Sequence, residues 1–214
     1  MAYSENKTAG GSLKIGVLLS GSGTNLQAII DRILAGTLDA EIVTVISSRP
    51  DAYGLVRAQE AGIPTVSLNR DIYLDPAIAN EVIATELTHA GAQYVVMAGY
   101  MRMVTPEVLD VFPDRVINLH PALLPSFKGA HAIEDAFDFG AKVTGVTVHF
   151  ANEHYDKGPI IAQRAVEIRE DDTLETLEMR IHEVEHQLYP DVLALIAAGR
   201  VKVTPQRKVV ILPE

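Results

Sequence analysis

The chain has 214 residues, of which 48% are hydrophobic and 21% are charged. This length and apolar content fit one α/β domain with a sizeable core and argue against a disordered chain. The formal net charge of −10 removes the general attraction that draws proteins onto nucleic acid, so we expect no nucleic-acid partner. Because the sequence has no cysteine, disulfides, thiolate metal sites and a cysteine nucleophile are excluded.

The sequence contains no apolar run of the roughly 18 residues that a membrane helix needs, so we expect no membrane partner. The first residues are polar and lack an apolar signal region. We therefore expect residues 1–12 to form a disordered leader and residues 13–214 to form a single domain. We further expect a cytoplasmic protein that acts on small molecules as a monomer or homodimer.

Short apolar runs alternate with segments of helical spacing along the first part of the chain. The apolar runs predict strands at residues 13–20, 40–48, 65–68, 93–98 and 115–119. The segments between them predict helices at residues 25–34, 52–61 and 78–89. Strands that alternate with helices predict an α/β fold with a mostly parallel sheet flanked by helices.

The second part of the chain has a different pattern. Residues 142–150 and 159–166 predict two strands that could pair antiparallel across the turn-rich segment between them. Residues 173–198 predict one long helix with a kink at Pro190. Two short β-like pieces, at 200–203 and 208–212, complete the sequence.

A glycine-rich loop, residues 21–25 (GSGTN), separates the first predicted strand from the first predicted helix. Glycine lets the backbone approach a ligand closely, and the free N–H groups at a helix start favour a phosphate. The loop has neither the third glycine of the dinucleotide fingerprint nor the Lys-Ser/Thr of a P-loop. NADP binding stays an open alternative, because Arg49 could contact the phosphate of NADP. The alternative is a tight turn capped by Thr24 or Asn25.

The fifth predicted strand ends in Asn118-Leu119-His120-Pro121. Because side chains two apart on a strand point the same way, the amide and the imidazole face one crevice. Such a pair suits acyl transfer to an amine: Asn118 would donate to the oxyanion and His120 would relay a proton. A carboxylate such as Asp156 would favour the imidazolium form if it lay nearby. The alternative is that both side chains only cap loop backbone.

Three other histidines were candidates for chemistry. His149 alternates with valines on a predicted strand, which favours a structural role. His182 and His186 are one helical turn apart, as metal ligands can be, but a solvated helix face is the simpler interpretation. We therefore expect no metal site.

Five segments together resemble the folate-dependent formyltransferases, and among these the glycinamide ribonucleotide formyltransferases. They occur in the family's order over about residues 13–201, and Asn-x-His-Pro-x-Leu-Leu-Pro is the most specific of them. The segments are residues 20–27 (SGSGTNLQ), 98–102 (AGYMR), 118–125 (NLHPALLP), 149–150 with 156–161 (HF and DKGPII), and 185–190 (EHQLYP).

The resemblance implies a Rossmann-like formyltransferase fold. It also implies transfer of the formyl group of 10-formyltetrahydrofolate, as co-substrate and without a metal, to the amine of glycinamide ribonucleotide in purine biosynthesis. Three alternatives stay open: a 10-formyltetrahydrofolate hydrolase, a formyltransferase for another amine, and a non-catalytic nucleotide- or folate-binding domain.

The resemblance also implies a role for individual residues. The catalytic group would be Asn118, His120 and Asp156, the last favouring the charged imidazole. The ribonucleotide would be bound by Gly23, Thr24, Asn25, His182 and Glu185. The folate would be bound by Met101, Arg102, Met103, Val104, Asn118, Asn152, Glu153, His154, Tyr155 and Asp156. One departure is Pro76, which stands where many members carry an Arg that contacts the folate tail.

Overall fold

The computed structural model describes residues 11–213, so the predicted leader lies outside the described residues except at its last two positions. A seven-stranded sheet forms the centre of the fold, as the sequence predicts. Its strands are β1 (Leu13–Leu19), β2 (Ala40–Ser47), β3 (Thr65–Ser67), β4 (Tyr94–Met97), β5 (Val116–His120), β6 (Val143–Phe150) and β7 (Ile160–Glu167).

The sheet has the strand order β3-β2-β1-β4-β5-β6-β7. β1 to β5 are parallel, whereas β6 pairs antiparallel with both β5 and β7. From β1 the chain builds outward to one side through β2 and β3, and it then returns to the other side of β1 with β4. The carboxyl ends of β1 and β4 therefore flank the point where the strand order reverses, which is where open α/β sheets bind ligands.

Six helices occur in residues 11–213, and they pack around the sheet. The three predicted early helices are present, and so is the long helix of the second half. The helices are α1 (Thr24–Leu34), α2 (Tyr53–Glu60), α3 (Pro76–His89), α4 (Pro106–Leu109), α5 (Ala132–Asp138) and α6 (Leu174–Ala197). A 3₁₀ helix, Arg70–Leu74, precedes α3. The sequence analysis missed α4, α5 and the 3₁₀ helix.

Local chemistry accounts for where the main helices begin. The Asp75 carboxylate accepts hydrogen bonds from two backbone N–H groups of α3, and Pro76 occupies the first turn, where its missing N–H costs nothing. At α6, Thr173 and Thr176 form a reciprocal capping box. The helix continues through Pro190, which is buried; the predicted kink there stays a prediction.

Tyr189 ties α6 to the two strands that lead to the site. Its side chain is fully buried, and its hydroxyl donates toward the carbonyl oxygens of Met97 (3.1 Å) and Ile117 (2.9 Å). Burial raises the pKa of this hydroxyl well above its ordinary value, so it stays a donor. The long helix is thereby held against β4 and β5, next to the residues that end these strands.

The chain closes with a small two-stranded sheet, β8 (Val201–Val203) and β9 (Val209–Ile211), which confirms the two short pieces predicted there. None of the helices in residues 11–213 combines the length and the apolar character that a membrane span requires.

Candidate active site

A cavity of about 940 Å³ opens at the carboxyl ends of β1, β4 and β5. It is lined by the glycine loop, by the segment after β4, by the end of β5, by residues 151–156 after β6, and by two side chains of α6. Every residue that the sequence analysis assigned to substrates or catalysis lines it, except Glu153. The cavity thus brings together segments that lie far apart in the sequence.

The three residues predicted to be catalytic meet on one wall of this cavity. Nδ1 of His120 lies 3.6 Å from Oδ1 of Asp156, and both side chains are almost completely buried. Nε2 of His120 donates to the carbonyl oxygen of Phe127 at 2.7 Å. The imidazole therefore has an oxygen beside each of its two nitrogens. The other Asp156 oxygen accepts the N–H of Gly129 at 3.0 Å.

His149 also belongs to this group, and the structural role favoured by the sequence does not describe it fully. It lies opposite Asn118 in the β5–β6 pairing, with its Nε2 3.2 Å from the Asn118 amide nitrogen and 3.8 Å from Oδ1 of Asp156. Its Nδ1 donates to the Phe150 carbonyl at 2.9 Å. Burial lowers the pKa of His149. A neutral ring leaves Nε2 free to accept the Asn118 N–H.

The glycine loop presents backbone N–H groups at the start of α1. Gly23 has a left-handed backbone (φ 71°), and a Cβ atom there would lie 2.6 Å from the Cα of Gly54, so only glycine fits. No side chain caps α1, which leaves the N–H groups of its first turn open to a ligand. The alternative interpretation, a turn capped by Thr24 or Asn25, is therefore wrong: the N-cap residue is Gly23, and Asn25 turns its amide toward α6.

The amide nitrogen of Asn25 donates to the Glu185 carboxylate at 3.0 Å, and Nδ1 of His182 lies 3.0 Å from the same carboxylate. The hydrogen bond with Glu185 raises the pKa of His182. Glu185 itself is buried, while the amide oxygen of Asn25 is buried without a hydrogen-bond partner. The Glu185 carboxylate and the Asn25 amide oxygen are both hydrogen-bond acceptors beside the glycine loop. Such a pair of acceptors suits the hydroxyl groups of a sugar.

The segment after β4 forms an apolar wall with a fixed backbone. The N–H of Met101 donates to the Ser20 hydroxyl at 2.8 Å, and the carbonyl of Met103 accepts from Asn80 at 3.3 Å. The guanidinium of Arg102 stacks on the Tyr73 ring, 4.9 Å from its centroid. Both methionine side chains are exposed in the cavity mouth, which suits a flat aromatic ligand.

The segment after β6 also lines the cavity, through residues 151, 152 and 154–156. The Asn152 side chain accepts the N–H of His154 at 3.0 Å, and the Tyr155 side chain is exposed. Asp156 has a left-handed backbone (φ 52°), which aspartate tolerates better than most residues and which turns its carboxylate inward. At Gly158 a Cβ atom would collide with the Phe150 carbonyl, so glycine fixes the return into β7.

Pro76 lies at the start of α3, and neither it nor Arg70 lines the cavity. No cluster of three or more His, Cys, Asp or Glu side chains that could hold a metal ion occurs in residues 11–213. The stacked rings of His182 and His186 (6.4 Å between centroids) lack a third candidate ligand in this part of the chain.

Comparison with known proteins identifies the family of the chain. The profile of the formyl transferase family matches residues 13–193, which is most of the chain. The chain therefore belongs to the formyl transferase family.

Within this family, the chain is similar to phosphoribosylglycinamide formyltransferases. Phosphoribosylglycinamide formyltransferase of Bacillus subtilis is 40% identical over 180 residues, which are 84% of this chain and 92% of the relative. The enzyme of the same name from Haemophilus influenzae is 40% identical over 189 residues, 88% of this chain and 89% of the relative. The crystal structure of glycinamide ribonucleotide transformylase 1 from Symbiobacterium toebii matches with a TM-score of 0.92 at 43% identity, covering 99% of this chain and 100% of that chain.

Proposed function

We propose that this protein transfers the formyl group of 10-formyltetrahydrofolate to the amine of glycinamide ribonucleotide, a step of purine biosynthesis. The observation that carries this proposal is the placement of Asn118, His120 and Asp156 in one cavity, between an anion-binding loop and an apolar wall. The relatives named phosphoribosylglycinamide formyltransferase support it independently.

The ribonucleotide is assigned to the glycine loop and α6. Open N–H groups at the start of α1 suit its phosphate, and the Asn25–Glu185–His182 group suits its ribose hydroxyls. The folate is assigned to the segments after β4 and β6, residues 101–104 and 152–156. With this arrangement the amine of one substrate and the formyl carbon of the other meet at the end of β5.

The chemistry is a direct transfer. The amine attacks the formyl carbon and forms the new C–N bond, while charge collects on the formyl oxygen, to which Asn118 and the imidazolium of His120 donate. For this step Nε2 of His120 exchanges the Phe127 carbonyl for the formyl oxygen. Collapse of this intermediate breaks the bond to the folate nitrogen. His120 gives a proton to the leaving nitrogen and takes up the proton that the amine loses, and the Asp156 carboxylate beside Nδ1 holds the imidazole in place for this relay.

The competing activities differ in what they require. A hydrolase would consume the formyl folate without an amine, and a formyltransferase for another amine would ignore glycinamide ribonucleotide. A binding module would show no turnover in the wild type, and it would keep its affinity for the substrates after His120 is replaced. A cytoplasmic location and a monomeric or homodimeric state belong to the same proposal.

The test follows conversion of 10-formyltetrahydrofolate to tetrahydrofolate by absorbance, with and without glycinamide ribonucleotide, for wild type and His120→Ala. We expect conversion that needs the ribonucleotide and is lost in the variant. Conversion without the ribonucleotide would identify a hydrolase instead. No conversion under either condition would overturn the proposed activity.

A further inference from the structure

Helix α2 donates hydrogen bonds to two of the carbonyl groups of the glycine loop. The N–H of Gly54 donates to the Gly21 carbonyl at 3.0 Å, and Nε of Arg57 donates to the Ser22 carbonyl at 2.9 Å. In a trans peptide the carbonyl and the following N–H point in opposite directions. The N–H groups of Ser22 and Gly23 are therefore turned away from α2.

These two N–H groups have no hydrogen-bond partner anywhere in residues 11–213. Backbone donors left open in a glycine-rich loop at a helix start are the groups that bind a phosphate. The direction of the Gly23 N–H depends on the Ser22 peptide plane, and the Arg57 side chain fixes that plane. Because glycines at positions 21 and 23 flank Ser22, the loop backbone is flexible. Without the contact to Arg57, the peptide between Ser22 and Gly23 could rotate and present its carbonyl group to the anion.

The Arg57 guanidinium is itself firmly placed. Its Nη1 donates to the Gln27 side chain at 3.1 Å, and its carbon lies 5.0 Å from the centroid of the Tyr53 ring. The side chain is half-buried, and within the described residues no carboxylate forms an ion pair with it. A fixed and uncompensated positive charge thus lies beside the loop, in a chain whose net charge is −10.

We propose that Arg57 is a positioning residue for the phosphate of the ribonucleotide. Its Nε holds the Ser22 carbonyl outward, so that the Gly23 N–H stays directed at the ligand, and its charge adds attraction for the phosphate dianion. The inference rests on the proposed function, and it names the phosphate, not the amine or the folate, as the group through which Arg57 acts.

The experiment measures kcat and both KM values for wild type, Arg57→Ala, Arg57→Lys and Arg32→Ala. Arg32 is the matched control, because its guanidinium pairs with Asp191 on α6 rather than with the loop. For Arg57→Ala we expect the KM for glycinamide ribonucleotide to rise about tenfold, the loss of one charged hydrogen bond. We expect kcat, the KM for folate and all Arg32→Ala values to stay within about twofold of wild type.

Two further comparisons separate positioning from general damage. With glycinamide riboside, which lacks the phosphate, kcat/KM should be equal in wild type and Arg57→Ala. Arg57→Lys keeps the charge without the planar fork that reaches both Ser22 and Gln27, so its ribonucleotide KM should be intermediate. An unchanged KM in Arg57→Ala, or an equal loss with the riboside, would overturn the proposal, and a wild-type KM in Arg57→Lys would overturn the role given to Nε.

A failure of the proposed activity would be visible separately, as wild-type protein without ribonucleotide-dependent turnover. In that case titration with inorganic phosphate, followed by NMR at the amides of Ser22 and Gly23, still decides the role of Arg57. Weaker phosphate binding in Arg57→Ala than in wild type and Arg32→Ala would support the role. Equal binding, or no binding to the wild type, would overturn it.

Discussion

Nδ1 of His120 lies 3.6 Å from Oδ1 of Asp156, although one residue ends β5 and the other belongs to the turn that leads into β7. The side chains are only 5% and 6% exposed, respectively, so little water screens the interaction between them. The carboxylate is anchored through its second oxygen by the Gly129 N–H. The Asp156 carboxylate therefore interacts with the His120 imidazole and not with bulk solvent.

Replacing Asp156 with Asn should lower kcat by about 10²-fold, the contribution typical of general acid–base catalysis. The amide keeps the size of the side chain and an oxygen for the Gly129 N–H, but it removes the negative charge that lies 3.6 Å from Nδ1 of His120. The KM for glycinamide ribonucleotide should stay near that of wild type, since Asp156 is assigned to catalysis and to the folate and not to the ribonucleotide. Steady-state kinetics on Asp156→Asn, with Asp138→Asn as a surface control, checks this. Equal kcat values in the two variants would exclude the role of Asp156.

Replacing Asn118 with Ala should lower turnover by about 10²–10³-fold, as the loss of an oxyanion donor does in other enzymes. The amide is one of the few neutral donors at the end of β5, and its removal leaves the charge that develops on the formyl oxygen with a single donor. Asn69→Ala, which removes an amide that only caps the 3₁₀ helix, is the control. Near-normal turnover of Asn118→Ala would leave the amide without a catalytic function.

His149 should act on turnover through Asn118, because a neutral Nε2 has no proton to donate to the Asp156 carboxylate 3.8 Å away. Its neutral Nε2 accepts an N–H of the Asn118 amide. This hydrogen bond fixes the orientation of the Asn118 amide, with its nitrogen toward His149. We expect His149→Ala to lower kcat by about tenfold, the loss of one orienting hydrogen bond. The double variant Asn118→Ala/His149→Ala should be no slower than Asn118→Ala alone, because the orienting group then has nothing to orient. Additive losses in this cycle would show that His149 acts independently.

The protonation state of the buried His149 ring gives a second test of its role. Because burial lowers its pKa, the ring should stay neutral at pH values where an exposed histidine is already protonated. Nitrogen NMR of the imidazole should show a protonated Nδ1 and an unprotonated Nε2 at pH 6.5, the ordinary pKa of histidine. A ring that protonates near pH 6.5 would mean that Nε2 cannot accept from Asn118.

Much of the fold was predictable because periodicity reports local burial. The parallel strands β1, β2, β4 and β5 are mostly apolar, since helices cover both faces of the sheet, and the glycine loop marks the first turn after a strand. The Asn118–His120 pair was also predictable, because alternation on a strand is a local property. The short helices α4 and α5 were missed because four and seven residues give too little periodicity to detect.

Contacts between distant segments could not be predicted from periodicity. Nothing local places Asp156 beside His120, and only the resemblance to a family suggested it. The register of β5 with β6 sets His149 opposite Asn118, and a register is a property of two strands that neither strand alone reveals. The same holds for Arg57, whose helix reaches the glycine loop only because Gly54 allows close backbone contact.

Asp172 should stabilise the fold at neutral pH and stop doing so in acid. A hydrogen bond from Arg180 is the main cause that lowers the pKa of Asp172 from 3.8 to about 2, and the N–H of Arg169 (2.7 Å) and the hydroxyl of Thr176 (3.0 Å) also donate to it. Because the pKa is lower in the folded state than in the unfolded state, the stabilisation is complete above pH 3.8. It is lost as the pH falls from 3.8 toward about 2.

Asp172→Asn should therefore lower the melting temperature at pH 7, and its free energy of unfolding should fall less steeply than that of wild type between pH 3.8 and about 2. The neighbouring Asp171 is exposed, so Asp171→Asn removes the same formal charge without these hydrogen bonds and is the matched control. Urea unfolding at several pH values measures the slopes. Parallel slopes for wild type and Asp172→Asn would mean that the carboxylate has the same pKa in both states, and the hydrogen bonds from Arg180, Arg169 and Thr176 would then contribute no pH-dependent stability.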